Sequence, residues 1–308
     1  MLFEYAVQPD TLRDIAKSCR DCNYFTKEFQ IGRPKVLSGF PRFKQLRRIL
    51  KEQYNQCDND LHQSRLDELI LFVDSCLTVK RSADYDRQRC WDDNVTDEHN
   101  RVPFDEVLSN SAIGNNAALK LESFLAGTDD VGKPENGAVV ATSNAADMAA
   151  AVSNLLRLSE KLFFVDPFFT DRPSYWNTLE EFILRSQVNR PVGRLGLEVL
   201  YGDGSEKKGH ASPTPQYLLS AFSQKLPALK GKCDITFSSY RMPSKRAHNR
   251  YLLSDIAGVS VGSGLGENSD QGDDDFSLLN RKSYELRWND YALKKECEIT
   301  GTASNILE

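Results

Sequence analysis

Apolar residues recur at three- and four-residue intervals through the first third of the chain. The stretches "DTLRDIAKSC", "RFKQLRRILKEQY", "SRLDELILFVDSCLTV" and "NNAALKLESFLA" each gather their apolar side chains on one helical face, with Asp or Ser near several starts. The pattern predicts an all-α N-terminal domain over residues 1–137. Its boundary is "GTDDVGKPENG", residues 127–137, which mixes glycine, proline and acids without periodicity. The rhythm then changes. "ATSNAADMAAAVSNLLRLSE" predicts a helix capped by Thr142 or Ser143, running into the buried strand of "KLFFVDPFF". After it, "YWNTLEEFILRSQ" and "TPQYLLSAFSQKL" read as helices, while "RLGLEVLYGD", "CDITFSSY", "HNRYLLSD", "GVSVGS" and "SYELRWNDY" read as strands. That alternation predicts an α/β domain over residues 138–308 with a mixed central sheet. The acidic "ENSDQGDDDFS", residues 267–277, reads as a solvated loop between strands.

Composition narrows this picture little. With 308 residues, 40% hydrophobic and 27% charged, the chain has the make-up of a soluble globular protein. A net charge of -5 gives no global attraction to polyanions, so a nucleic-acid site must be a local basic patch. The start, "MLFEYAVQPDTLRDIAK", lacks an apolar run of signal or membrane-span length, so the expectation is a cytoplasmic protein without a membrane partner. Seven cysteines in such a chain are expected to be reduced. Cys19 and Cys22 form a C-x-x-C, but they also fit one face of an amphipathic helix, and no second ligand pair follows to complete a metal shell. No metal and no cofactor is expected.

A basic run, "GRPKVLSGFPRFKQLRRILK", carries Arg33, Lys35, Arg42, Lys44, Arg47, Arg48 and Lys51 without an acidic residue. Such a run suits a nucleic-acid backbone, with Phe40 and Phe43 for stacking, or it is a solvated helix face whose aromatics enter the core.

The densest chemistry lies in "AHNRYLLSDIAGVSVGSGLGE", residues 247–267. His248, Arg250 and Leu252 alternate onto one side of a predicted strand, so an imidazole and a guanidinium can converge on one anion. A guanidinium offers paired donors matched to phosphate oxygens, and a neutral imidazole can attack phosphorus. Gly262 permits close backbone approach and Ser263 adds a hydroxyl. Taken singly, a histidine before a strand and a Gly-Ser after one are ordinary. Their joint spacing is not.

That spacing, His248-x-Arg250-x4-Asp255-x6-Gly262-Ser263, resembles the H-x-K-x4-D-x6-G-S signature of the phospholipase D superfamily, with Arg250 where lysine is usual and Leu265 where an asparagine often follows. The resemblance covers about half the chain, from Ala141 onward. It implies a metal-independent attack on a phosphodiester by His248 through a covalent phosphohistidine. Arg250 and Ser263 would hold the phosphate, and Asp255 would be mainly structural. Glu285 resembles the downstream glutamate that orients the histidine, with Glu267 as its rival. A second histidine is needed to protonate the leaving group. "HNRVPFD", with His99 and Arg101, lacks the rest of the motif, and His210 sits in a Gly- and Pro-flanked stretch, so the resemblance points to a homodimer pairing two copies of His248. The expected function is a nuclease, acting on DNA ahead of RNA, in bacterial restriction or phage defence and with protein partners in a defence complex. The alternative is an inactive nucleic-acid-binding or scaffold subunit.

Overall fold

The structure is a computed structural model that describes residues 1–76, 78–110, 118–128, 137–204, 212–241, 249–268 and 272–305. The chain divides into two compact units, Leu2–Pro134 and Glu135–Glu308.

The first unit corrects the all-α expectation. It runs β1 (Phe3–Val7), α1 (Pro9–Ile15), α2 (Cys19–Glu28), β2 (Lys35–Ser38), α3 (Phe43–Glu52), α4 (Asp60–Ser75), β3 (Thr78–Val79), α5 (Trp91–Arg101), β4 (Glu106–Leu108) and α6 (Leu121–Leu125). The four strands form a parallel sheet in the order β3-β2-β1-β4. They are two to five residues long and covered by helices, so no in-out alternation marks them in the sequence. The periodic stretches hold in part: α3 and most of α4 lie where the pattern predicts, but "DTLRDIAKSC" breaks between Ile15 and Cys19, "SRLDELILFVDSCLTV" ends in β3, and of "NNAALKLESFLA" only α6 is helical among the described residues. Ser18, Asn59 and Cys90 cap α2, α4 and α5 by accepting from backbone N–H groups. Tyr5, Ile15, Phe25, Leu66 and Phe124 lie in the core of this unit.

A polar residue disguises β1 further. Glu4 is wholly buried and takes two hydrogen bonds from Arg81, Nε at 2.8 Å and Nη2 at 2.6 Å. Arg81 Nη1 donates to Glu98 on α5 at 2.8 Å and to the Val102 carbonyl at 2.7 Å, and its guanidinium stacks 3.6 Å from the Phe104 ring centroid. Arg101 closes the network on Glu98 at 2.7 Å through Nε and Nη2. The C-x-x-C cysteines sit on α2, where the Cys22 thiol donates to the Ile15 carbonyl and burial pushes it up to about 11.

The second unit holds the expected α/β fold. Its elements are β5 (Val139–Thr142), α7 (Ala145–Ala151), α8 (Ser153–Leu158), β6 (Lys161–Val165), α9 (Pro173–Ser186), β7 (Leu195–Gly202), α10 (Pro215–Lys225), β8 (Cys233–Arg241), β9 (Arg250–Ser254), β10 (Gly258–Val261), β11 (Asp273–Leu278), α11 (Arg281–Arg287) and β12 (Glu298–Ser304). The sheet is mixed and eight-stranded, in the order β12-β8-β7-β6-β9-β10-β11-β5. β6, β7 and β8 are parallel; β9, β10, β11, β5 and β12 pair antiparallel with their neighbours. One face packs Phe164, Phe169, Trp176, Phe182 and Phe237 together, and the other packs Phe163, Val165, Leu200, Tyr240, Tyr251 and Tyr291.

Three expectations change here. "SYELRWNDY" is α11 continued by a π-helical turn, Trp288–Ala292; Asn280 caps it, and Tyr284, Trp288 and Tyr291 follow at helical spacing. Part of the acidic loop is instead β11, in which Asp274 and Phe276 are buried while Asp273 and Asp275 are exposed. Finally, residues 139–142 form a strand before the Ala-rich helix, and the cap is Asn144, not Thr142 or Ser143. Among the described residues no helix is long and apolar enough to cross a membrane.

Candidate functional site

The β9–β10 hairpin sits in the middle of the large sheet. β9 pairs with β6 in a register that sets Val165 against Tyr251, which brings Asp166, the next residue of the chain, opposite Arg250. β10 sets Val261 against Arg250 and leads directly into Gly262 and Ser263. Arg250, Asp166 and the Gly-Ser turn therefore meet at the edge where the parallel strands β6, β7 and β8 end. His248 lies outside the described residues, as does His210.

Arg250 lies 4.9 Å from the Phe168 ring centroid, and its Nε is buried without a hydrogen-bond partner. It makes no hydrogen bond or ion pair with any described residue. Its nearest compensation is the charge of Asp166, a wholly buried carboxylate. Asp166 accepts from the N–H of Phe168 at 2.9 Å and from the N–H of Leu265 at 3.0 Å. Burial pushes its carboxyl up, while those two N–H groups, Arg250 and a hydrogen bond from Tyr175 pull it down. Burial also raises the Tyr175 phenol, so it stays a donor. An arginine held in place, half-buried and short of partners, retains donors for an oxyanion.

Ser263 faces β11. Two residues beyond the Val261–Phe276 pair, its N–H donates to Asp274 Oδ1 at 3.0 Å and its hydroxyl to Asp274 Oδ2 at 2.7 Å. Gly262 makes this approach possible, since a Cβ there would stand 2.6 Å from Asp274 Oδ1.

The other motif acids lie elsewhere. Asp255 is at the far end of β9, five residues or ~16 Å along the strand from Arg250. It accepts from the Lys161 N–H at 3.0 Å, anchoring the start of β6, and burial pushes its carboxyl up. Glu285 is also at that far end. It is half-exposed and bonded to Arg281 at 2.8 Å, on a helix whose Tyr284 hydroxyl donates to the Ser254 carbonyl. The structure does not bring it to Arg250. Its rival Glu267 accepts from the Asn177 side chain at 2.7 Å and from the Ala145 N–H. His99 belongs to the first unit, where it stacks on Phe104 and accepts from the Phe104 N–H at 3.3 Å.

Sequence reasoning missed Asp166 and Asp274. The first carried a signal, an acid closing the apolar run "KLFFV"; the second was one of three consecutive aspartates, of which only pairing with β10 selects the buried one.

The basic run divides sharply. Lys35 is 2% exposed and bonded to Glu28 at 3.0 Å, so it is unavailable to a nucleic acid, and Phe40 is buried against Tyr85 and Phe104. Phe43 packs against the core of the unit. Lys44, Arg47, Arg48 and Lys51, in contrast, are exposed at i, i+3, i+4 and i+7 of α3, with Gln45, Leu46 and Leu50 turned inward. Arg48 pairs with Glu52 at 3.4 Å and Arg42 with Asp84 at 3.8 Å, both at the surface. Arg33 lies in the turn before β2.

No family model and no curated protein matches the sequence. Among solved structures the chain is similar to Nuc, a phospholipase D family member from Salmonella typhimurium, at 10% identity and TM-score 0.33, over 53% of this chain and 97% of that one. It is also similar to phosphatidylserine synthase from Haemophilus influenzae Rd KW20, at 14% identity and TM-score 0.34, over 53% of this chain and 39% of that one. A third similarity is to TrmBL2, an archaeal chromatin protein described as having a novel mode of DNA binding, at 12% identity and TM-score 0.27, over 57% of this chain and 60% of that one.

Proposed function

We propose that the chain is a metal-independent phosphodiesterase acting on nucleic acid, with His248 as nucleophile and Arg250 as the principal phosphate ligand. The observation that carries this reading is the guanidinium of Arg250, set by the register of β9 beside the Gly-Ser turn and hydrogen-bonded to no described residue. The reaction divides into two displacements. An imidazole nitrogen of His248 attacks phosphorus, the bond to the leaving oxygen breaks, and that oxygen takes a proton. Water then attacks the phosphohistidine and frees the imidazole. The proton donor is a second His248 across a two-fold axis, which makes the active form a homodimer. Asp255 keeps the hairpin in register and takes no part in the chemistry. A cytoplasmic nuclease of restriction or phage defence, working with protein partners, is the setting that fits this chemistry.

Arg250→Ala is expected to slow cleavage of DNA, and of a small diester such as bis-p-nitrophenyl phosphate, by ~10²–10³-fold, the scale of losing one charged donor to a developing oxyanion. Arg250→Lys keeps the charge and should recover part of that loss. Rates are measured in EDTA. Cleavage that Arg250→Ala leaves at the starting rate ends the proposal.

The exposed stripe on α3 is the proposed nucleic-acid grip. Exchanging Lys44, Arg47, Arg48 and Lys51 for glutamine should weaken DNA binding and lower the slope of log affinity against log salt by roughly 3–4, one increment per lost phosphate contact. Lys35→Met, at a buried site, should leave the slope unchanged. Filter binding over a salt series reads both.

A further inference from the structure

The geometry points to Ser263 as a positioning residue whose hydroxyl proton belongs to Asp274, so that the anion is met instead by Arg250 and the main-chain N–H of Gly264. The inference rests on the phosphate site proposed above and concerns which atoms hold the anion.

A serine hydroxyl has one proton. Here it goes to Asp274 Oδ2 at 2.7 Å, while Asp274 Oδ1 takes the N–H groups of Ser263 at 3.0 Å and Asp275 at 2.8 Å. Asp274 is 5% exposed, so water does not compete strongly for this carboxylate. With its proton so engaged, Ser263 turns only lone pairs toward an oxyanion. On the other flank the Leu265 N–H is committed to Asp166 Oδ2 at 3.0 Å.

Two buried carboxylates thus pin the turn from opposite sides. Between the committed amides, the N–H of Gly264 has no hydrogen-bond partner among the described residues. Gly264 has φ of +144°, a backbone state that disfavours side chains, and a Cβ there would stand 3.8 Å from both Arg250 Nε and Asp166 Oδ2. The side of Gly264 that a Cβ would occupy therefore faces Arg250 and Asp166. An unengaged amide on this turn, joined to the unpaired guanidinium, would make a compact oxyanion cradle.

The experiment titrates inorganic phosphate into the full chain, followed by thermal shift and phosphorus NMR, for the wild type, Arg250→Ala, Ser263→Ala, Asp274→Asn and the Ser263→Ala/Asp274→Asn double variant. Arg250→Ala should weaken phosphate by ~tenfold or more, whereas Ser263→Ala should cost only about twofold. Asp274→Asn should tighten it a few-fold. Its carboxamide oxygen still accepts the backbone N–H groups, and its NH2 donates to Ser263 Oγ and releases the hydroxyl proton toward the anion. The double variant separates that gain from the lost negative charge: in the Ser263→Ala background only the charge effect remains, so Asp274→Asn should tighten phosphate by less than it does in the wild type.

Ser263→Ala as damaging as Arg250→Ala, or an Asp274→Asn gain as large without the serine as with it, overturns the inference. Phosphate binding indifferent to Arg250→Ala overturns the underlying site instead. Ser263→Ala decides the matter even if Asp274→Asn does not fold.

Discussion

His248→Ala is expected to lose DNA hydrolysis in EDTA by ~10⁴-fold or more while DNA affinity falls little, because the nucleophile goes and the phosphate ligands stay. Binding and cleavage should separate cleanly. On the proposed reading, affinity is carried by Arg250 at the rim of the large sheet and by the cationic stripe on α3, neither of which contains the imidazole. A quenched wild-type reaction with labelled diester should give an acid-labile, base-stable phosphoenzyme, which the variant should fail to yield. Gel filtration of the wild type should show a dimer, since the proposed mechanism draws the leaving group's proton from a second imidazole. Hydrolysis that persists at the original rate in His248→Ala would remove the covalent mechanism.

A second large effect is expected far from this chemistry. Arg81→Met should destabilise the first unit by ~3–5 kcal/mol, the cost of leaving buried carboxylates without their cation. Glu4 is wholly buried and loses two of its hydrogen bonds together with the charge that balances it, and Glu98 keeps only Arg101. Urea denaturation read from the tryptophan on α5, Trp91, gives the loss directly. Replacing Glu4, Arg81 and Glu98 together by apolar residues of similar volume should restore most of it, because the ions are then removed as a set. A single variant within ~1 kcal/mol of wild type would show that water reaches these carboxylates.

The sequence carried the second unit well and the first poorly, for one reason. β6, β7 and β8 are long enough, at five to nine residues, for their apolar runs to stand out, and the β9–β10 hairpin is bracketed by polar motif residues. The first unit builds its sheet from short parallel strands, one containing Glu4, so the periodic helices around them dominate the reading. Site residues followed the same division. The place of Arg250 on β9 was legible because alternation along a strand is local. Asp274 and Asp166 were not, because each acts across a pairing between strands, β11 with β10 and β6 with β9, that local alternation does not reveal. Glu285 resembles the downstream glutamate of the signature, but Asn280 starts a helix there and carries it to the opposite end of the hairpin. The basic run misled in part for a related reason: charge counts do not reveal that Lys35 points inward to Glu28.

The turn at Asp255 is the feature with the widest reach. By fastening the bottom of the hairpin to the start of β6, it holds the opposite rim in place from ~16 Å away, like the foot of a lever. The position of Arg250 is thus set in part by a contact at the opposite end of its own strand.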